Sequence, residues 1–181
     1  MAFTRLVIDG NGQIELNNVA FRRDGRVEAQ CKLSVEAENG MILAVDTAKR
    51  EVRLPKATGE DCPLAVVYTS EHIYSDIEVG LKNFINKKGT YPRMGYPAIH
   101  DIWTTNCIGY DSEDFASNDL AVAAIKAAAE TPLYGKVGAE GVVTLTKTKP
   151  ASGLCFKVAT GMGAGSMPDG QVGVKLEVIG L

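Results

Sequence analysis

The chain has 181 residues, 45% hydrophobic and 23% charged, and its 19 Lys and Arg against 22 Asp and Glu give a net charge of −3. A chain of this length buries roughly 70% of its unfolded surface, so a core needs no disulfide or metal to hold it, and the mild negative charge argues against a binder that works by neutralising phosphates. Nineteen glycines, 7% aromatics and two histidines favour many short turns and leave little material for acid–base or metal chemistry.

The first residues, Met1 to Ile8, hold Arg5 and only a short apolar group. They lack the apolar core and small-residue cleavage site of a signal peptide, and no apolar run approaches the length of a membrane span. Ile14 to Phe21 reads as a strand. Arg23-Asp24-Gly25-Arg26 follows, and Asp-Gly supplies the positive φ angles of a type I′ hairpin turn. The partner strand is then Arg26 to Glu36, where Val27, Ala29, Cys31, Leu33 and Val35 alternate with polar residues, the period of a half-buried strand. Asn39-Gly40 is a second turn. Met41 to Val45 and Glu51 to Leu54 read as two short strands around Asp46-Thr47-Ala48-Lys49. A polar loop from Lys56 to Asp61 closes on Cys62-Pro63, and Leu64 to Tyr68 is an apolar run bounded like a buried strand.

The middle third is less regular. Ser75 to Phe84 reads either as a helix capped by Ser75-Asp76 or as a strand from Ile77, with Gly80 weakening the helix. Tyr91 to Pro97 is expected to be irregular, because its two prolines constrain the residues before them. Asp101 to Ile108 is rich in strand formers. One helix is expected near 118–130, capped by Ser117 or Asn118 and stopped by Thr131-Pro132, with Leu120, Ala123, Ala124 and Ala127 as its apolar face. That face is small, so the helix should lie across a sheet or under a loop. Strands are expected over Leu133 to Val137, Val142 to Thr146, Leu154 to Ala159 and Gln171 to Ile179. In the last of these Val172, Val174, Leu176 and Val178 share a side. The chain therefore reads as mainly β, a β-rich α+β protein with a single alanine-rich helix.

The candidate chemical groups are sparse. Gly161, Gly163 and Gly165 lie in a loop that lacks the following helix of a phosphate cradle. His100-Asp101 and His72 lack the partners of a catalytic or metal site, and no Gly-x-Ser-x-Gly occurs. Asp111, Glu113 and Asp114 form an acidic loop without the spacing of an EF-hand, which leaves a weak Ca²⁺ site open beside a solvated loop. The cysteines Cys31, Cys62, Cys107 and Cys155 are widely spaced and read as buried free thiols of a reducing cytosol, not a zinc set. No catalytic, cofactor or metal residue is therefore assigned. Tyr91, Arg93, Tyr96 and Trp103 lie within thirteen positions, a composition shared by protein interfaces and ordinary cores. The same aromatics motivate a second reading, a small-ligand or carbohydrate-binding β module.

One stretch, Gly40 to Val67, resembles a known family. Met41-Ile42-Leu43, Asp46-Thr47, Arg50-Glu51-Val52, a loop holding Gly59, and Pro63-Leu64-Ala65-Val66-Val67 look like the core of the small, lambda-type head-decoration proteins of tailed bacteriophages. The segments Asp101 to Asn106 and Pro168 to Ile179 also look similar to the C-terminal halves of phage virion proteins. The resemblance implies a compact barrel- or tulip-like β domain over 40–181, after an N-terminal arm and hairpin region at 1–39. It implies a homotrimer on the outer capsid at local three-fold sites, with the major capsid protein as partner, no nucleic acid, membrane or cofactor, and assembly in the host cytoplasm. It further implies an N-terminal arm that adds a strand to the capsid protein. The position of that arm in this chain is Ala2 to Asp9, with Phe3, Leu6, Val7 and Ile8 as candidate anchors. A tail or neck component is the alternative within the virion.

Overall fold

A computed structural model describes residues 3–26, 31–69, 81–160, 167, 171 and 173–181. The strands, in chain order, are β1 (Phe3–Arg5), β2 (Ile14–Asn18), β3 (Arg23–Arg26), β4 (Lys32–Leu33), β5 (Ile42–Asp46), β6 (Glu51–Arg53) and β7 (Leu64–Val67). After a single 3-10 turn at Leu81–Asn83 come β8 (Arg93–Tyr96), β9 (Ile102–Thr105), β10 (Ile108–Asp111), helix α1 (Asn118–Lys126), β11 (Tyr134–Val137), β12 (Val143–Thr146), β13 (Cys155–Thr160) and β14 (Val174–Gly180). The protein is mainly β, as its composition and turn signals predicted.

The strands form two sheets. The larger runs β1-β10-β12-β11-β13-β14-β9-β2, the smaller β3-β8-β7-β5-β6-β4. Strands β1 and β2 are consecutive in the chain yet occupy opposite edges of the eight-stranded sheet. The nine Cα steps from Arg5 to Ile14 reach at most about 32 Å, while eight flat strands are about 34 Å wide. The sheet must curl to bring its edges within reach, and it forms an open half-barrel.

Its inner face carries the main core. The cross-strand row Tyr110, Leu145, Gly135, Phe156, Val178 and the row Trp103, Leu176 supply Trp103, Tyr110, Leu145, Phe156, Leu176 and Val178, all buried. Strands β5 and β7 lie between two cores. Ile42 and Val66 join the half-barrel core, while Leu43, Val45, Ala65 and Val67 join a second cluster with Leu33, Met94 and Cys107. Burial on both faces explains why these strands read as continuous apolar runs and not as alternating ones.

The Asn39-Gly40 turn and the β5–β6 hairpin form as expected. Gly40 has a φ of 90°, and a Cβ there would stand 2.4 Å from the Thr105 hydroxyl on β9 of the larger sheet, so this turn between β4 and β5 admits glycine alone. In the hairpin, Asp46 pairs with Glu51 in register, and its Oδ1 accepts from the Lys49 N–H at 3.0 Å. The β11–β12 hairpin and the alternation of β14, with Val174, Leu176 and Val178 buried, also match expectation.

Four expectations are corrected. The N-terminal hairpin does not form: Asp24 and Gly25 lie inside β3, which pairs with β8, and β2 pairs with β9. The expected strand Arg26 to Glu36 survives as the end of β3 and the two-residue β4; residues 27–30 lie outside the described set. Residues 3–26 and 31–39 are thereby woven into both sheets and are not a separate region. The chain instead crosses from the larger sheet to the smaller between β2 and β3, where Phe21 takes a φ of 42°. Second, Arg93 to Tyr96 is a strand, since Pro92 and Pro97 flank it and the extended backbone they impose is compatible with a ladder.

Third, the helix turns a different face inward. Ser117 caps it, accepting from the Leu120 N–H at 3.3 Å, but Ala121 and Ile125 are its buried residues, followed by Ala128 in the turn beyond it. Leu120 is 55% exposed. The helix does lie across the sheet, against β13. Fourth, Cys31, Cys107 and Cys155 are buried free thiols, but Cys62 is partly exposed. The expected helix or strand over Ser75 to Phe84 falls outside the described residues up to Gly80, as do His72 and Gly161 to Gly165. Among the described residues, no helix is long and apolar enough to cross a membrane.

Candidate interaction surface

The N-terminal arm belongs to the protein's own sheet. Strand β1 pairs antiparallel with β10, Phe3 opposite Asp111 and Arg5 opposite Gly109. A Cβ at Gly109 would stand 2.0 Å from the Phe3 ring, so the missing side chain is what lets the ring lie down on the strand. Leu6 is 2% exposed and part of the half-barrel core. Of the arm's four candidate anchors, Phe3 and Leu6 are therefore used internally, Ile8 is half-buried, and Val7 is 77% exposed.

The loop from Val7 to Gln13 spans the mouth of the half-barrel and is tied at each step. The Val7 N–H donates to Asn118 Oδ1 at 3.0 Å, Asp9 exchanges two hydrogen bonds with Gln171, and the Asn11 N–H donates to the Lys82 carbonyl. The Gln13 N–H donates to Asn106 Oδ1 at 2.6 Å. Glu38 accepts from the Arg5 guanidinium at 2.6 Å and from the Gly12 N–H. Beneath them Cys107 is fully buried, and burial pushes its thiol up to about 12.

The aromatic group does not come together. Trp103 is 0% exposed and meets Phe156 edge-on at 5.4 Å, so it has no face to offer a partner or a sugar. Tyr96 is half-buried against the second core. Tyr91 is exposed, with Lys32 Nζ 5.6 Å from its ring. Arg93 is exposed and lies over Tyr68, which stacks in turn on Phe21 at 5.4 Å. The sequence did not signal this Arg93–Tyr68–Phe21 ladder, because its members come from three strands or strand ends distant in the chain.

The acidic loop is engaged internally. Asp111 is buried and its Oδ1 accepts from the Glu113 N–H. Asp114 Oδ2 accepts from the Thr146 hydroxyl at 2.6 Å and the Lys147 N–H at 2.9 Å. Burial raises the Asp114 carboxyl, and these donors with the Lys147 charge outweigh it, leaving the pKa below its ordinary value. His100, 79% exposed, sits 2.8 Å from Glu177. Its neighbour Asp101 is buried and accepts from the Ala20 and Ala98 N–H groups at 2.7 Å each, pinning two loops.

The loop after β6 is braced by a charged hydrogen-bond network. Arg53 grips Glu60 through two parallel hydrogen bonds of 2.9 and 3.0 Å, a bidentate pair. Glu60 also accepts from the Lys56 and Cys62 N–H groups. Burial works to raise the Glu60 carboxyl, and these donors together bring it down to about 2. Glu60, Asp61 and Cys62 place potential ligand atoms within 4.8 Å of one another, but Arg53 and Lys56 already neutralise the two carboxylates. Beside the loop opens a cleft of about 420 Å³ lined by Arg22, Cys62, Leu64, Pro97, Leu154 and Leu181. Burial and Asp46 raise the Cys62 thiol, so it is protonated at neutral pH and a poor nucleophile. The exposed groups of these regions offer contact surface. No family model, curated protein or solved structure matches the chain.

Proposed function

We propose that the protein is a structural protein of a tailed-bacteriophage virion, a decoration protein that binds the major capsid protein on the outer shell as a trimer at local three-fold sites. The observation that supports this reading is the Gly40–Val67 segment. Its apolar runs pair as β5 and β7, its Asp46-Thr47 opens the β5–β6 turn, and its Gly59 loop is braced by Arg53 and Glu60. The resembling residues thus form one contiguous unit of the smaller sheet. Of the arm and interface candidates, Val7, Tyr91 and Arg93 are exposed and are assigned to partner contact. Three weak contacts around one axis reinforce each other through effective concentration, so a decoration trimer needs no reactive centre.

Co-sedimentation with expanded capsids tests the reading. Binding at hundreds of copies per particle, with raised heat resistance of the shell, is the expected result. Binding confined to a ring at one vertex moves the protein to the neck or tail. Absence of binding, with capsid heat resistance unchanged, removes the decoration role.

A further inference from the structure

The two edges of the half-barrel differ. At the β1 edge the inner row through Tyr110 ends on the polar Thr4, and Leu6 folds into the core beside it. At the β2 edge the inner row Leu176, Trp103, Leu16 ends on an apolar side chain. Leu16 is 39% exposed because, among the described residues, no strand follows it. The next row, Val174, Thr105, Ile14, ends the same way on a half-buried isoleucine. Strand β2 reads Ile-Glu-Leu-Asn-Asn and holds neither of the residues that most often guard an open edge, lysine and proline.

We propose that β2 is a self-association edge, where a second copy of the chain adds its own β2 antiparallel about a two-fold axis at Leu16. The strand is complementary to itself in that register. Leu16 meets Leu16 of the other copy and extends the Trp103 row across the axis, while Glu15 faces Asn17 and no like charges stand opposed. Shifting the register by one residue at each copy to centre on Glu15 places two carboxylates face to face, which is unfavourable. Asn17 is the extra residue of the irregularity between Leu16 and Asn18, so the regular pairing is short and centred on Leu16, with the Glu15–Asn17 pairs at its ends. The result is a closed, isologous contact. It does not depend on the virion reading.

Sedimentation velocity over a concentration series, with Leu16→Lys as the variant, tests the edge. The expected result is a dimer, or a higher species built from pairs, whose dissociation constant rises about tenfold or more in Leu16→Lys while its melting temperature stays within a few degrees. Oxidative cross-linking fixes the register in a Cys62→Ser background: Leu16→Cys gives a covalent dimer, and Asn18→Cys, placed opposite Ile14 of the other copy, does not. Wild-type protein that is monomeric throughout, association unaffected by Leu16→Lys, or equal cross-linking at both positions overturns the proposal. Capsid binding is scored separately, so a failed edge and a failed virion reading are told apart.

Discussion

Glu60 accepts two guanidinium and two backbone hydrogen bonds in its ionised form, which is why its pKa falls to about 2. A folded pKa below the unfolded one contributes stability that is present in full above about pH 5 and is lost as pH falls toward 2. Glu60→Gln is expected to lower stability by about 1–3 kcal/mol at pH 7, and the gap to wild type should close below pH 3, as read by urea unfolding at several pH values. The cysteines make a second residue-scale case. Cys31, Cys107 and Cys155 are buried and Cys62 is partly exposed with a raised thiol pKa, so excess thiol reagent at pH 8 should label one group slowly in native protein and four in denaturant. Abolition of the native reaction by Cys62→Ser identifies the group. Trp103 shows the limit of residue-level reading: its type fits an interface and a core equally well, and only the register Leu16–Trp103–Leu176 puts it inside.

The helix illustrates what an element's sequence settles. Its cap is one of the two expected residues, Ser117 and not Asn118, because the Ser117 hydroxyl needs only the Leu120 N–H, three residues away. Its buried face is not, since the alanines offer apolar stripes on several sides and the sheet chooses between them. Ile125→Ala is expected to cost about 2–5 kcal/mol, Leu120→Ala less than about 0.5 kcal/mol, and Ser117→Ala about 1 kcal/mol. Thermal or chemical unfolding of the three variants checks the order, and a reversed order for Ile125 and Leu120 means that the other stripe is buried. Strand β8 is a parallel case. Prolines at its two ends look like breakers in the chain but act as strand boundaries once β3 and β7 supply ladder partners on either side.

For the molecule as a whole, the β1–β2 connection constrains the shape. Because the loop from Leu6 to Gln13 must bridge the half-barrel's edges, its hydrogen bonds to Asn106, Asn118 and Gln171 hold Val7 outward on an ordered platform. Under the virion reading, Val7→Asp should weaken capsid binding by about tenfold, within the range of a truncated interface anchor, and leave the melting temperature within a degree or two. A matched loss of stability would instead assign Val7 to the fold.

Most strands, the helix and its cap, the β5–β6 and β11–β12 hairpins and the mainly-β class follow from local signals: period two, apolar runs bounded by Gly and Pro, and a serine before an alanine-rich stretch. These depend on neighbours within a few residues, so the chain alone determined them. Which strands pair was decided by the tertiary structure. The Asp24-Gly25 turn signal yields to β3 pairing with β8, and β2 finds its partner β9 more than eighty residues away. The candidate surface behaves likewise. Leu6 and Trp103 were drawn into the core and Val7 and Leu16 left outside because burial depends on the curl of an eight-stranded sheet, a property of all its strands together that no short window of sequence contains.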